Sequence, residues 1–218
     1  MPNNPDDLQA DFAVRARSIA KYRRRAVAYD ASCGPTWPIR ERAVAALGLR
    51  AGQRVLDVGC GTGLSLELLR GGVGAAGVVH GFDQSPDMLE RARARVAAAG
   101  WTNVHLHQAC AQQLRIEEPV DALLFHYTHD ILRSGAALER LLGLARPGAA
   151  VAIAGIKYFS GWLRVLNGWV YLKNAGYNGA PGELSSPWDR IAPRLEDWRF
   201  AQTQFGMGYL ASGRVAGA

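Results

Sequence analysis

A chain of 218 residues with 25 Lys and Arg against 19 Asp and Glu, a formal charge of +6, can bury a sizeable core without disulfides or metal. Its cysteines, Cys33, Cys60 and Cys110, are odd in number and lack metal-ligand spacing, which argues for a reducing compartment. The opening MPNNPDDLQADF has no signal-peptide layout and no apolar run nears the ~20 residues of a membrane span, so a cytoplasmic location is expected; so moderate a charge does not indicate a nucleic-acid partner.

Residues 1–10 carry no structural pattern. Asp11 to Tyr29 predicts a helix: Phe12, Ile19, Tyr22, Ala26 and Tyr29 recur at roughly helical spacing, and Arg15, Arg17, Lys21 and Arg23 to Arg25 give it a basic face. Ser32 to Pro35 and Trp37-Pro38 break it, and a second helix is expected over Ile39 to Leu47. Strand and helix then alternate: strand 54–58, helix 64–70, strand 78–83, helix 86–99, strands 104–108 and 121–126, helix 134–145 and strand 149–155. That order demands a parallel sheet covered on both faces. Pro86 suits the first turn of its helix, and Gly100 its end. From Lys157 an aromatic, glycine-interrupted stretch reads as an insertion, and Trp198 to Phe205 with Gly208 to Arg214 as a closing antiparallel hairpin.

Chemistry concentrates where the first strand ends. Val55, Leu56 and Val58 form an apolar run interrupted by Asp57, after which Gly59, Gly61 and Gly63 let the backbone turn sharply and approach a ligand. The next helix would aim its free N–H groups back at the turn. The second strand closes on Asp83, 20 residues beyond Gly63, where a carboxylate can accept both hydroxyls of a ribose. A dinucleotide fingerprint is not met, because Leu64 stands where its third glycine belongs.

The segments VLDVGCGTG and GFDQSPDMLERARARV resemble the first two motifs of the class I S-adenosylmethionine-dependent methyltransferases. Asp121 to Phe125 resembles their fourth strand and Leu144 to Ala149 the turn before their fifth, so the likeness covers roughly Ala51 to Gly155. It implies one α/β domain over 1–218, Rossmann-like and doubly wound, with a mainly parallel seven-stranded sheet completed by the antiparallel hairpin. Its parts would be an N-terminal helical lid over 1–50, a cofactor-binding core over 51–155, an insertion over 156–190 and the hairpin over 191–218. The implied cofactor is S-adenosylmethionine, its methionine part held around Asp57, Gly59, Cys60, Gly61 and Gly63, its ribose by Asp83 and its adenine by Gln84 and Met88. Cys110 stands where many relatives carry an acid for the adenine, which leaves the backbone of Cys110 and Ala111 to read the base. Tyr22 and Tyr29 resemble the Tyr-rich first helix of quinone and phospholipid methyltransferases, as a catalytic candidate and a cofactor contact, and Arg40 could meet a carboxylate or phosphate.

The fourth strand delivers Phe125 to Asp130 to the expected acceptor side. His129 is the candidate general base, with Asp130 to orient it, and packing under the cofactor is the alternative. His126, the other catalytic candidate, is also expected at the cofactor. His105 and His107 share a strand face without a third ligand, so no metal is expected.

Methyl transfer to nitrogen or oxygen of a small-molecule acceptor is the leading expectation. A phospholipid head-group N-methyltransferase in peripheral contact with a membrane, through the basic first helix and the aromatic stretch Trp162 to Leu172, is the second. A non-catalytic S-adenosylmethionine-binding protein is the third. Nucleic acid is not expected as a partner, since the Asn/Asp-Pro-Pro-aromatic turn of the amino-methylating enzymes and the Pro-Cys loop of the cytosine C5 enzymes are both missing.

Overall fold

The computed structural model describes residues 30, 33–159, 161–174 and 184–217; the expected helix Asp11 to Tyr29, with Tyr22 and Tyr29, lies outside the described residues. A 3-10 turn at Gly34–Thr36 leads directly into α1 (Trp37–Ala46). Pro38 therefore opens this helix instead of interrupting it, because a first-turn N–H has no intrahelical partner to lose. The core follows as β1 (Arg54–Val58), α2 (Leu66–Val73), β2 (Val78–Asp83), α3 (Pro86–Ala98), β3 (Val104–Gln108), β4 (Val120–His126), the short α4 (His129–Arg133), α5 (Gly135–Leu142) and β5 (Ala145–Ile156). A 3-10 segment at Gly161–Leu166 continues into α6 (Asn167–Asn174), and β6 (Leu195–Thr203) and β7 (Gly208–Val215) close the sheet.

The seven strands lie in the order β3-β2-β1-β4-β5-β7-β6. β3, β2, β1, β4 and β5 run parallel, and β7 enters antiparallel between β5 and β6. This is the Rossmann-like sheet with a closing hairpin. Side-chain alternation sends apolar residues to both faces. One face holds Val55, Val79, Val104, Ala122 and Leu124 against Ile39, Ala43 and Val44 of α1, Leu66 and Leu69 of α2 and Ala92 of α3. The other holds Leu56, Val58, Phe82, Leu123, Phe125 and Ile153 against Ala137, Leu138 and Leu141 of α5 and Tyr209 of β7.

The departures from expectation are local. The turn after β1 extends to Ser65, so α2 starts two residues late. Helix 134–145 gives way at Gly143, and its last residue, Ala145, opens a twelve-residue β5 whose pairing with β4 shifts register between Val120 and Ala122. The link between the hairpin strands is a 3-10 turn, Gln204–Gly206, in which Gln204 and Phe205 take left-handed φ of 49° and 55°. Among the described residues no helix is long and apolar enough to cross a membrane.

Candidate functional site

The carboxyl ends of β1, β2 and β4 are level, since Val58 pairs with Phe82 on one side and with Phe125 on the other. With period-two alternation, Val55 and Asp57 of β1 share a face with Ala122, Leu124 and His126 of β4. That face lies under α1, whose Arg40 is buried beside its apolar residues and donates a hydrogen bond from a terminal nitrogen to Ser65 Oγ. Burial pushes the Asp57 carboxyl up to about 7, against the pull of the Arg40 guanidinium. Burial, then the Arg40 charge, holds the His126 imidazole well below its ordinary range.

Among the described residues, four polar atoms in this corner are buried without a hydrogen-bond partner: Asp57 Oδ2, Arg40 Nε, His126 Nε2 and Thr128 Oγ1. Unsatisfied atoms of this kind each cost about 1–3 kcal/mol, and their concentration suits a ligand bearing both cationic and anionic groups.

The glycine turn forms the adjoining wall. Cys60 N donates to Phe82 O at 2.8 Å, Gly61 N to Asp83 Oδ2 at 3.0 Å and Gly63 N to Cys60 O at 2.9 Å. A Cβ on Gly59 would stand 2.8 Å from Thr128 Cγ2, and one on Gly63 2.6 Å from Leu66 Cδ1 and 3.2 Å from the Ala92 Cβ, so crowding adds to their left-handed φ of +63° and +82° in favouring glycine. Gly61 differs: its φ of +55° favours glycine, yet a Cβ there would meet nothing within 4 Å. Its open side is where a ligand can approach the backbone. The Cys60 side chain turns inward, as its Sγ lies 3.1 Å from where a Gly81 Cβ would be, and burial raises its thiol pKa; only its backbone faces the turn.

Asp83 Oδ1 accepts from Ser85 N at 2.8 Å, so the carboxylate is fixed from two sides. Burial raises its pKa while the N–H groups of Ser85 and Gly61 lower it. Met88 is buried in the first turn of α3, where Ser85 Oγ caps its N–H at 3.4 Å. Ala109 N donates to Asp83 O at 3.2 Å, which brings the buried Cys110 and Ala111 beside Asp83. Asp57, the glycine turn, Asp83, Gln84, Met88, Cys110, Ala111 and His126 thus gather at one end of the sheet.

Beyond β4 the chain kinks at Tyr127, whose φ of 60° is a left-handed value rarely adopted by a bulky residue. His129 then packs its ring on β5: its Nε2 accepts from Ile156 N at 3.3 Å, and a Cβ on Gly155 would collide with its Cε1. Burial lowers its pKa to about 4, and among the described residues its buried Nδ1 has no hydrogen-bond partner, so Asp130 does not bond that nitrogen. From His126 a row of rings continues through Tyr127, His129, Tyr209 and Trp188 to Phe200, with successive centroids 4.8, 6.3, 6.5, 5.0 and 4.6 Å apart.

Sequence reasoning passed over the bracket that fastens Asp30 to the turn. Thr62 Oγ1 donates to Asp30 Oδ1 at 2.6 Å, and Arg95 donates from Nη2 to Asp30 Oδ2 at 2.9 Å and from Nε to Thr62 O at 3.3 Å. These residues lie up to 65 positions apart, so no local pattern announces them. The two strand histidines also gain a neighbour: His80 Nδ1 lies 3.1 Å from His107 Nε2, and burial lowers the pKa of both rings. Among the described residues no three His, Cys, Asp or Glu are placed to hold a metal ion.

Comparison with known proteins agrees with this geometry. The family described as "Methyltransferase domain" matches residues 55–148. Trans-aconitate 2-methyltransferase of Pseudomonas paraeruginosa (strain DSM 24068 / PA7) is 35% identical over 156 residues, covering 68% of this chain and 53% of the relative. The chain belongs to the class I S-adenosylmethionine-dependent methyltransferases. The chain spans about half the length, or less, of the curated relatives it matches first. A methyltransferase structure from Aquifex aeolicus is similar with a TM-score of 0.62 at 24% identity, covering 81% of this chain and 89% of that one. The N-methyltransferase NodS from Bradyrhizobium japonicum, solved in complex with S-adenosyl-l-homocysteine, is similar at 0.60 and 16% identity over 82% and 86%. Both likenesses are of fold.

Proposed function

We propose that this chain transfers a methyl group from S-adenosylmethionine to nitrogen or oxygen of a small-molecule acceptor. The observation that carries the reading is the joining of the open face of Gly61 and the fixed carboxylate of Asp83 to the unpartnered polar atoms of Asp57, Arg40 and His126. Asp83 would hold the ribose, the turn and Asp57 the cationic methionine part, Arg40 its carboxylate, and Gln84, Met88, Cys110 and Ala111 the adenine.

When bound, the cofactor would supply an electrophilic methyl on a sulfonium, with neutral S-adenosylhomocysteine as the leaving group and the acceptor's proton passing to solvent. The protein's task is then to hold donor and acceptor about 3–3.5 Å apart in line and to exclude water. His126 stands neutral at the end of β4 and lines the transfer region. His129, tied to Ile156 and pressed on Gly155, positions the kink at Tyr127. Trans-aconitate 2-methyltransferase, by its name, acts on a small acid, which supports a small-molecule acceptor here.

A second reading, an amphipathic acceptor met at a lipid surface, is favoured by the exposure of Trp162, Val165, Trp169 and Leu172 along the insertion. Conversion of S-adenosylmethionine to S-adenosylhomocysteine across a panel of amines, phenols and carboxylic acids tests the first. Its absence with every acceptor, with the cofactor still bound, would leave only a binding protein.

A further inference from the structure

A cavity of about 750 Å³ lies away from the glycine turn, between the insertion and the closing hairpin. Phe159, Tyr171, Trp188 and Phe200 are among its walls, and its two charged lining residues are Lys157 and Arg164. Among the described residues no Asp or Glu lines it. Lys157 follows β5, is buried, and donates from Nζ to Tyr158 O at 3.1 Å; among the described residues neither cation is paired with a carboxylate. A buried ammonium satisfied only by a carbonyl is costly unless an anion joins it, and burial accordingly lowers its pKa.

Packed side chains join the cavity wall to the end of β4. Tyr127, next after β4, packs on the small cluster of Ile156, Val170 and Leu184 together with Phe159. The row of rings that starts at His126 ends at Trp188 and Phe200 on the cavity wall. β5 pairs with β4 so that His126 lies opposite Ala154, and Lys157 therefore stands one strand to the side and three residues, roughly 10 Å, beyond the end of β4.

We infer that this cavity is the acceptor site and that it selects a flat aromatic molecule bearing an anionic group such as a carboxylate. The rings supply stacking surfaces for the aromatic body, and Lys157 and Arg164 supply charge-assisted hydrogen bonds to the anion. The inference rests on the methyl-transfer reading only for the word acceptor; the binding preference stands on the cavity itself.

The test compares 2-naphthoate with its neutral analogue 2-naphthalenemethanol by calorimetry, with S-adenosylhomocysteine titrated in parallel. Naphthoate is expected to bind at least about tenfold more tightly than the alcohol. Arg164→Gln and Lys157→Met should each cut that preference several-fold while leaving the alcohol's affinity unchanged, which also shows that the variants have folded. Gly168 lines the cavity and a Cβ there meets nothing within 4 Å, so Gly168→Leu should expel both probes without disturbing S-adenosylhomocysteine binding. Equal affinity for the two probes, binding of neither, or a preference untouched by both charge variants overturns the inference. Failure of S-adenosylhomocysteine to bind overturns the methyltransferase reading instead, and the naphthoate arms still decide this one.

Discussion

Asp30 and Thr62, 32 residues apart, share a hydrogen bond of 2.6 Å that fastens the chain preceding α1 onto the glycine turn. Both also meet Arg95, through the Asp30 carboxylate and the Thr62 carbonyl. Asp30→Ala and Thr62→Ala should therefore be non-additive, with a coupling of about 1 kcal/mol in a double-mutant cycle on denaturant stability. Strict additivity would mean that the bond contributes nothing to the fold.

If Asp57 meets the cofactor as proposed, binding should be a proton-linked event. Its carboxyl is raised to about 7, so at neutral pH roughly half the free protein carries that proton, and a cation placed beside it expels the proton. Calorimetry near pH 7 in buffers of different ionisation enthalpy should show release of about half a proton per S-adenosylmethionine, and none for Asp57→Asn. Because the folded pKa lies above the unfolded one, the free protein should also lose stability as pH rises from about 4 to 7, a loss that Asp57→Asn avoids. Thermal melts across that range measure it, and parallel curves for the two proteins would contradict the assignment.

Asp83 serves two structures at once. Its oxygens accept from Gly61 N and Ser85 N and would also meet the ribose, so Asp83→Ala should weaken S-adenosylhomocysteine binding at least about tenfold. Asp83→Asn, which keeps one accepting oxygen, should fall between. Wild-type affinity in the alanine variant, measured by calorimetry, would remove Asp83 from the cofactor site.

The packing of His129 on Gly155 predicts a compensating pair. Gly155→Ala drives a methyl into the imidazole and should cost about 1–3 kcal/mol, and His129→Ala in the same chain should recover most of it. With its pKa lowered to about 4 by burial and its Nε2 bound to Ile156, His129 is expected to position rather than to take a proton. His129→Ala should then lower turnover less than about tenfold; a loss of 10²–10⁴-fold with intact cofactor affinity would make it the general base.

Much of this was legible in the residues because the informative spacings are short. Val55 to Gly63 and Val78 to Asp83 each carry strand, turn and acid within a few positions, and the parallel strands followed from alternation. The boundaries that slipped did so where tertiary contacts override propensity. Ala145 to Gly148 extends β5 because β4 offers it a paired edge, and Trp37 starts α1 because Pro38 loses nothing there. The site was half legible: Asp57 and Asp83 sit in motifs, whereas the bracket of Asp30, Thr62 and Arg95, the burial of Arg40 against Ser65 and the pinning of His129 by Ile156 join residues 25 to 65 positions apart. Tyr22 and Tyr29, on which the expected lid depended, lie outside the described residues.

The place of β7 bears on how such a chain comes to be made. β7, made after the other strands of the sheet, is an interior one, hydrogen-bonded to β5 on one side and β6 on the other. Until residues 208–215 have left the ribosome, β5 presents a bare row of backbone donors and acceptors along Ala150 to Ile156, a run of Ala, Val, Ile and Gly without a single charge. An exposed, uncharged edge of this kind is a template for pairing with another chain. Nascent or carboxyl-terminally clipped molecules are thus the forms exposed to aggregation, and the half of the protein that carries the glycine turn must wait, already synthesised, for its last strand to protect it.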